Sequence, residues 1–297
     1  MVDVSLATHY ELYHDWRKAI AFCRTLPDVP PSDPVAFHMY WREAHGRWWW
    51  PSSRPFGRKQ ALPVKAFFAT QDLSKCSLTV WSDRDLSRSE WLAPFAGRLS
   101  LRVYDAGDEA RGTPLERHPR VYRQRDARVY RDGDLFRILV LHNHGGVYVD
   151  MDTVLLRSLG VFLNQEFVYQ WDNFDDRYAP ALMHLRRGGA FAAELVRGIL
   201  EIPPGKYNWG RENVRRAIDR GRSITVFPSP FFNTEWQADP GFEPFRRSSG
   251  SAEQDRLYEG AFAWHWHNKW DDPIEPGCKF ERLETFVDAR LRALGLT

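Results

Sequence analysis

The chain has 297 residues, 43% hydrophobic and 27% charged, enough apolar content for a packed core and too much for a wholly disordered chain. Its 41 basic and 39 acidic side chains leave a net charge of +2, which argues against a dedicated nucleic-acid binder. No run approaches the roughly 18–20 apolar residues of a membrane span. The opening residues show no leader pattern. Cys23, Cys76 and Cys278 lack metal or disulfide spacing, so the reading is a reducing, cytoplasmic setting, with attachment to the inner membrane face as an alternative.

Leu12, Trp16, Ala19 and Cys23 fall at helical spacing and predict a helix over 5–24, capped by Ser5 and stopped by Pro27. Residues 27–34 hold four prolines and read as a linker. The domain reading is therefore an N-terminal helix and linker over 1–34 and a catalytic unit over 35–297. A strand is predicted over 35–41, then a loop to Gly57, a helix over 62–71 and a strand over 77–81. A short helix over 90–95 and a strand over 99–104 follow. This alternation predicts βαβ units and an α/β fold with a mostly parallel sheet flanked by helices.

Residues 107–131 are rich in arginine and read as a solvated loop and helix face rather than a cradle for an anion. A helix over 134–144 carries the stripe Leu135, Ile138, Leu139 and His142. Gly145-Gly146 ends it, and Val147-Tyr148-Val149 forms a short strand running into Asp150-Met151-Asp152. Farther on, strands are predicted over 167–171 and 224–227, and helices over 191–199 and 212–218.

The chemistry concentrates in Asp134-x-x-Arg137 and the string Gly145 to Asp152. Two carboxylates one residue apart at the carboxyl end of a strand make a hard oxygen site suited to Mn²⁺ or Mg²⁺. In an open α/β sheet, ligands bind at that end of the strands. Asp134 and Arg137 share a helix face and together can grip neighbouring sugar hydroxyls, one accepting and one donating. A bare D-x-D pair says little, but the whole string is specific.

This string resembles the D-x-D glycosyltransferases with a sugar-binding region, typified by α-1,4-galactosyltransferases, the yeast initiating mannosyltransferase and the clostridial glucosylating toxins. The 16-residue interval from Asp134 to Asp150 matches their pattern. Phe37-His38-Met39-Tyr40-Trp41 resembles the family's first strand, and Leu78 to Asp83 the strand after the first helix. His265-Trp266-His267-Asn268-Lys269 resembles the closing H-x-W-N-K pattern, with His267 in place of tryptophan. A Gly-Pro pair usual in the galactosyltransferases is missing, and Gly210-Arg211 stands near its place.

The resemblance implies a Rossmann-like GT-A fold and transfer of a hexose from a nucleoside diphosphate sugar, a UDP-sugar foremost. The acceptor would be a hydroxyl of a glycan, a lipid-linked saccharide or a protein, with retention of configuration. Polysaccharide biosynthesis at a bacterial surface is the expected setting. Asp134 and Arg137 would hold the donor sugar. Trp41 would stack on the base, and Asp150, Asn268 and Lys269 would meet the nucleotide. Asp150, Asp152 and His265 would ligate the metal. Two other readings stand beside it. Asp150-Met151-Asp152-Thr153-Val154 also fits the nucleophile motif of haloacid-dehalogenase-like phosphatases, with Lys206 and Asp271-Asp272 as completions. The aromatic content would suit a non-catalytic sugar-binding module.

Overall fold

The computed structural model describes residues 10–47, 50–124, 130–238, 243–247 and 259–296. The predicted first helix is two helices, α1 (Tyr10–His14) and α2 (Trp16–Thr25). Asp15 breaks it: its backbone is extended and its carboxylate accepts from the N–H groups of Arg17 and Lys18, which caps α2 anew. Ser5 lies outside the described residues.

Strand β1 (Val35–Trp41) spans the predicted residues. The expected loop after it contains a hairpin, β2 (Ala44–Arg47) and β3 (Trp50–Ser53). Helix α3 (Arg58–Thr70) begins earlier than expected because the Gln60 side chain accepts the Gly57 N–H at 2.9 Å. Then come β4 (Cys76–Ser82), a single 3₁₀ turn at Ala93–Phe95 where a helix over 90–95 was expected, and β5 (Ser100–Val103).

The arginine-rich segment carries two short helices, α4 (Ala106–Ala110) and α5 (Pro119–Tyr122). Arg111, Arg117, Arg120 and Arg123 are exposed there, while Arg125 and Arg128 lie outside the described residues. Next are α6 (Tyr130–His144), β6 (Gly146–Val149), β7 (Thr153–Leu155), β8 (Phe167–Gln170) and β9 (Tyr178–Leu185). The remainder is α7 (Ala190–Glu201), α8 (Asn213–Asp219), β10 (Thr225–Phe227), α9 (Glu235–Ala238), β11 (Ala263–His265) and α10 (Lys279–Ala293). Among the described residues, no helix is long and apolar enough to cross a membrane.

Seven strands form one sheet in the order β10-β8-β9-β6-β1-β4-β5. β1 pairs in parallel with β4 and β6, β4 with β5, and β8 with β10. Only β9 runs antiparallel to its two neighbours. This is the mostly parallel, helix-flanked sheet expected from the sequence. β9 escaped prediction because Pro180 argues against a central strand. Proline is tolerated here because the β8 register is irregular beside it and the β6 ladder ends at Val149–Leu182.

Alternation along β1 feeds two cores. Phe37, Met39 and Trp41 join α3, α10 and the Trp264–Trp266 pair on one face, while Tyr40 joins Phe136, Leu139 and Trp209 on the other. Gly146 makes the α6-to-β6 turn possible. Its φ is 90°, and a Cβ there would lie 2.1 Å from the Ala36 carbonyl oxygen. The close approach seats β6 against β1, so the carboxyl ends of both strands open on one side of the sheet.

Candidate active site

Trp41 ends β1 and Asp150 follows β6, so both stand at that open side. After Asp152 the chain enters β7, which pairs antiparallel with β11 outside the main sheet, His265 opposite Thr153. The ladder carries His265 across more than a hundred residues of sequence to Asp152. Nε2 of His265 lies 3.0 Å from Oδ1 of Asp152. The other Asp152 oxygen accepts the Asn268 N–H at 2.6 Å, and its carbonyl accepts the Trp266 N–H at 3.1 Å.

Asp150, Asp152 and His265 each turn one ligand atom inward, all within 4.8 Å of one another. Nε2 of His265 is buried and, although close to Asp152, has no partner in hydrogen-bonding geometry. A buried ring nitrogen converging on two carboxylates fits a divalent cation with oxygen and imidazole ligands. The charges agree. Burial raises the Asp150 carboxyl above the ordinary range even though Arg137 pulls the other way. Burial also acts on Asp152, but the facing His265 outweighs it and holds that carboxyl low. His265 is raised in turn, because Asp152 and Asp150 outweigh its burial. Tyr169 is within 3.4 Å of the other ring nitrogen, Nδ1.

Asp134 and Arg137 lie on α6, which passes beside Asp150. Nη2 of Arg137 is 3.2 Å from Asp150 Oδ1 and 3.6 Å from Asp134 Oδ1, and its Nε donates to the Gly133 carbonyl at 3.2 Å. Its guanidinium sits 4.7 Å from the Tyr148 ring centre, and the Tyr148 hydroxyl donates to Asp150. Burial pushes that phenol well above its ordinary range, so it stays protonated as a donor. Asp134 packs on Gly210, where a Cβ would come within 2.4 Å of its carboxylate.

Two cavities meet at this group. The first, about 380 Å³, is lined by Trp41, Arg42, Arg54, Arg137, Asp150, Asp152, Asn268 and Trp270. The second, about 190 Å³, is lined by Asp134, Arg137, Asp150, His265, Trp171, Tyr207, Arg211 and Trp236. Arg137, Asp150 and Asn268 belong to both. Trp41 is almost wholly buried; its indole donates to the Arg54 carbonyl at 3.0 Å and its ring lies 4.6 Å from that of Trp270. Lys269 pairs with Glu243 at 2.9 Å and is not among the residues lining either cavity. Asp271 pairs with Arg54, and the Lys206 ammonium lies over the Tyr207 ring.

The walls of the second cavity were not singled out from sequence. Trp171, Tyr207 and Trp236 are dispersed aromatics, and only the folded chain stacks Trp171 on Trp236 at 5.0 Å. One local signal existed: Gly210-Arg211 begins where the family's Gly-Pro pair is absent. Here residues Asn208–Glu212 form a π turn entered from Tyr207 in a left-handed conformation, φ 66°.

The model of the glycosyltransferase sugar-binding region containing a DXD motif matches residues 113–169. Over that segment the chain is similar to the DXD glycosyltransferases. The matched region holds Asp134, Arg137, Asp150 and Asp152, whereas Trp41, His265, Asn268 and Lys269 lie outside it. No curated protein matches the chain. A solved structure titled PaToxG glycosyltransferase is similar at 15% identity, covering 80% of this chain and 82% of that one, with a TM-score of 0.40. The apo structure of the WbbM bifunctional glycosyltransferase is similar at 11% identity, over 89% of this chain and 52% of that one, with a TM-score of 0.49.

Proposed function

We propose that this glycosyltransferase moves a hexose from a UDP-sugar to a saccharide hydroxyl, with retention, in the cytoplasm and in the service of surface-polysaccharide assembly. The observation that carries the reading is the convergence of Asp150, Asp152 and His265 beside Asp134 and Arg137 where the two cavities meet. Residues 35–297 make up the catalytic unit in this proposal, and 1–34 are added to it. The three cysteines are free and buried, which suits a reducing compartment.

Asp150, Asp152 and His265 would hold Mn²⁺ or Mg²⁺. When bound, the cation supplies charge to the departing diphosphate. The first cavity takes the nucleotide, with Trp41 and Trp270 toward the base and Asn268 toward the diphosphate. Lys269 would reach a phosphate oxygen on leaving Glu243. Asp134 and Arg137 hold the sugar in the second cavity, Arg137 by its planar fork. The acceptor enters past Trp171, Tyr207 and Trp236, rings of the kind that meet sugar faces and edges.

The carboxylates lining the cavities are Asp134, Asp150, Asp152 and Asp271. Arg137 engages the first, the cation site takes the next two, and Arg54 holds the last. We therefore assign a front-face displacement. The bond from C1 to the β-phosphate oxygen breaks as the acceptor oxygen bonds C1 on the same face. The acceptor proton passes to the departing phosphate oxygen. The test is release of nucleoside diphosphate from a panel of UDP- and GDP-hexoses with and without Mn²⁺. Metal-dependent release of UDP is expected. Phosphate release from a phosphomonoester instead would favour the phosphatase reading, and neither product would leave a binding module.

A further inference from the structure

The segment after β11 crosses the site as a strap. Asn268 donates its N–H to Asp152, and both His267 and Asn268 are left-handed, with φ 58° and 60°. Neither is glycine, so this bend is strained and needs restraint on both sides. Upstream the restraint is the β7–β11 ladder. Downstream, beside the exposed Lys269–Glu243 and Asp271–Arg54 pairs, the buried restraint is Lys59 in the first turn of α3.

Lys59 is 9% exposed. Its ammonium donates to three backbone carbonyls of the strap: Lys269 at 2.9 Å, Trp270 at 2.9 Å and Asp272 at 2.6 Å. An ammonium has three donors, and all three are spent on these carbonyls. It also lies 3.5 Å from the centre of the Phe245 ring. The helix bearing it is itself tied down, since Arg58 pairs with Glu281 and Glu284 of α10. Charge-assisted bonds to successive carbonyls fix a backbone path more tightly than a surface ion pair.

We infer that Lys59 is a positioning residue: it pins residues 269–272 and so holds Asn268 against Asp152 and Trp270 against Trp41. That its consequence is donor binding rests on the proposed function. Lys59 touches neither cavity's reacting groups, and it sits in a helix that the matched sugar-binding region does not include. The strap it pins supplies Asn268 and Trp270 to the wall of the first cavity.

The experiment compares wild type with Lys59→Met, which keeps the stem and loses the donors. Hydrogen exchange by mass spectrometry on the metal-free protein reads the strap directly and needs no donor. Exchange over 266–272 should rise about tenfold, while β1, β4 and α6 keep their protection. In the presence of Mn²⁺, the Kd for UDP should rise about tenfold, with the apparent KM for the donor moving more than kcat. Unchanged exchange over 266–272 overturns the inference, as does a rise spread equally over α3 and the sheet. If Lys59→Met does not fold, Lys59→Gln, too short to reach three carbonyls, decides by the same exchange pattern. A wild-type protein that binds no UDP would sink the proposed donor while leaving the exchange result to judge Lys59.

Discussion

Thr153 and His265 are register partners across the β7–β11 ladder, and that pairing brings the His265 ring 3.0 Å from the Asp152 carboxylate. Two consecutive links of the chain are thus coupled: a three-residue strand pairing and a ligand geometry. Asp152→Asn should lower metal-dependent turnover by about 10²-fold or more, because the group loses its charge toward the cation. Asp152 also faces the raised His265 in a buried place, so losing its charge should lower the melting temperature too, by the equivalent of about 1–3 kcal/mol. Near-normal turnover at low Mn²⁺ would contradict the ligand assignment.

Metal binding should release protons. His265 is raised above its ordinary range by Asp152 and Asp150, so without metal it holds a proton that a cation must displace. Affinity for Mn²⁺ should therefore weaken as pH falls through the imidazole range and strengthen as it rises. Titration calorimetry in buffers of different ionisation enthalpy counts the protons. His265→Ala should weaken binding and remove the release, and proton release that survives this change would assign it to another group.

Arg137→Lys should impair transfer by roughly 10–100-fold while binding of UDP with Mn²⁺ changes little, since lysine keeps charge but loses the fork that spans Asp134, Asp150 and a sugar oxygen. Equal losses in both measurements would move Arg137 from the sugar to the phosphates.

The proposed donor half of this site was legible because its signals are local. Asp134-x-x-Arg137 is one helix face, and Gly146 to Asp152 is one turn, strand and turn. Even spacing in an extended segment puts Trp264 and Trp266 on one face and His265 and His267 on the other, and the rings of each pair meet, at 5.6 Å and 4.2 Å. The left-handed His267 and Asn268 end the alternation, and Trp270 packs between Trp266, at 5.4 Å, and Trp41, at 4.6 Å. Lys59 and the stacked wall of Trp171 and Trp236 were illegible for a different reason. Nothing within a helix turn of either marks them, and their roles exist only through partners far along the chain. β9 was hidden by Pro180, and β7 and β11 pair with each other outside the main sheet, across more than a hundred residues of sequence.

Glu194 predicts an acid limb in stability that is separate from the site. It is buried on α7 and receives Arg197 first, then Arg220 and Arg216, which hold its carboxyl down to about 2 from 4.5. A carboxyl lowered on folding contributes stability above its unfolded pKa and loses it as pH falls through the folded value. Thermal stability should therefore decline between pH 4.5 and 2 partly through this group. Glu194→Gln should be less stable at pH 7 and show a shallower decline below pH 4.5. An identical acid slope in wild type and variant would remove Glu194 from the account.

Gly210→Ala separates the sugar side of the site from the metal side. The added Cβ would lie 2.4 Å from Oδ1 of Asp134 and 3.0 Å from Oδ2, closer than carbon and oxygen can sit. Asp134 is 6% exposed and cannot swing into water without leaving Arg137, so either the carboxylate or the π turn must shift. Overpacking of this kind costs about 1–3 kcal/mol. The proposed metal ligands are on other elements, after β6 and in β11, and do not touch Gly210. Turnover should fall by about 10-fold or more from misplacement of the proposed sugar-holding pair, since small displacements at a reacting centre carry large rate costs. Mn²⁺ affinity should stay within about twofold of wild type, since no ligand atom has moved. If both quantities fall together, Asp134 is coupled to the cation through Arg137 and Asp150. If neither falls, Asp134 has no part in holding the sugar.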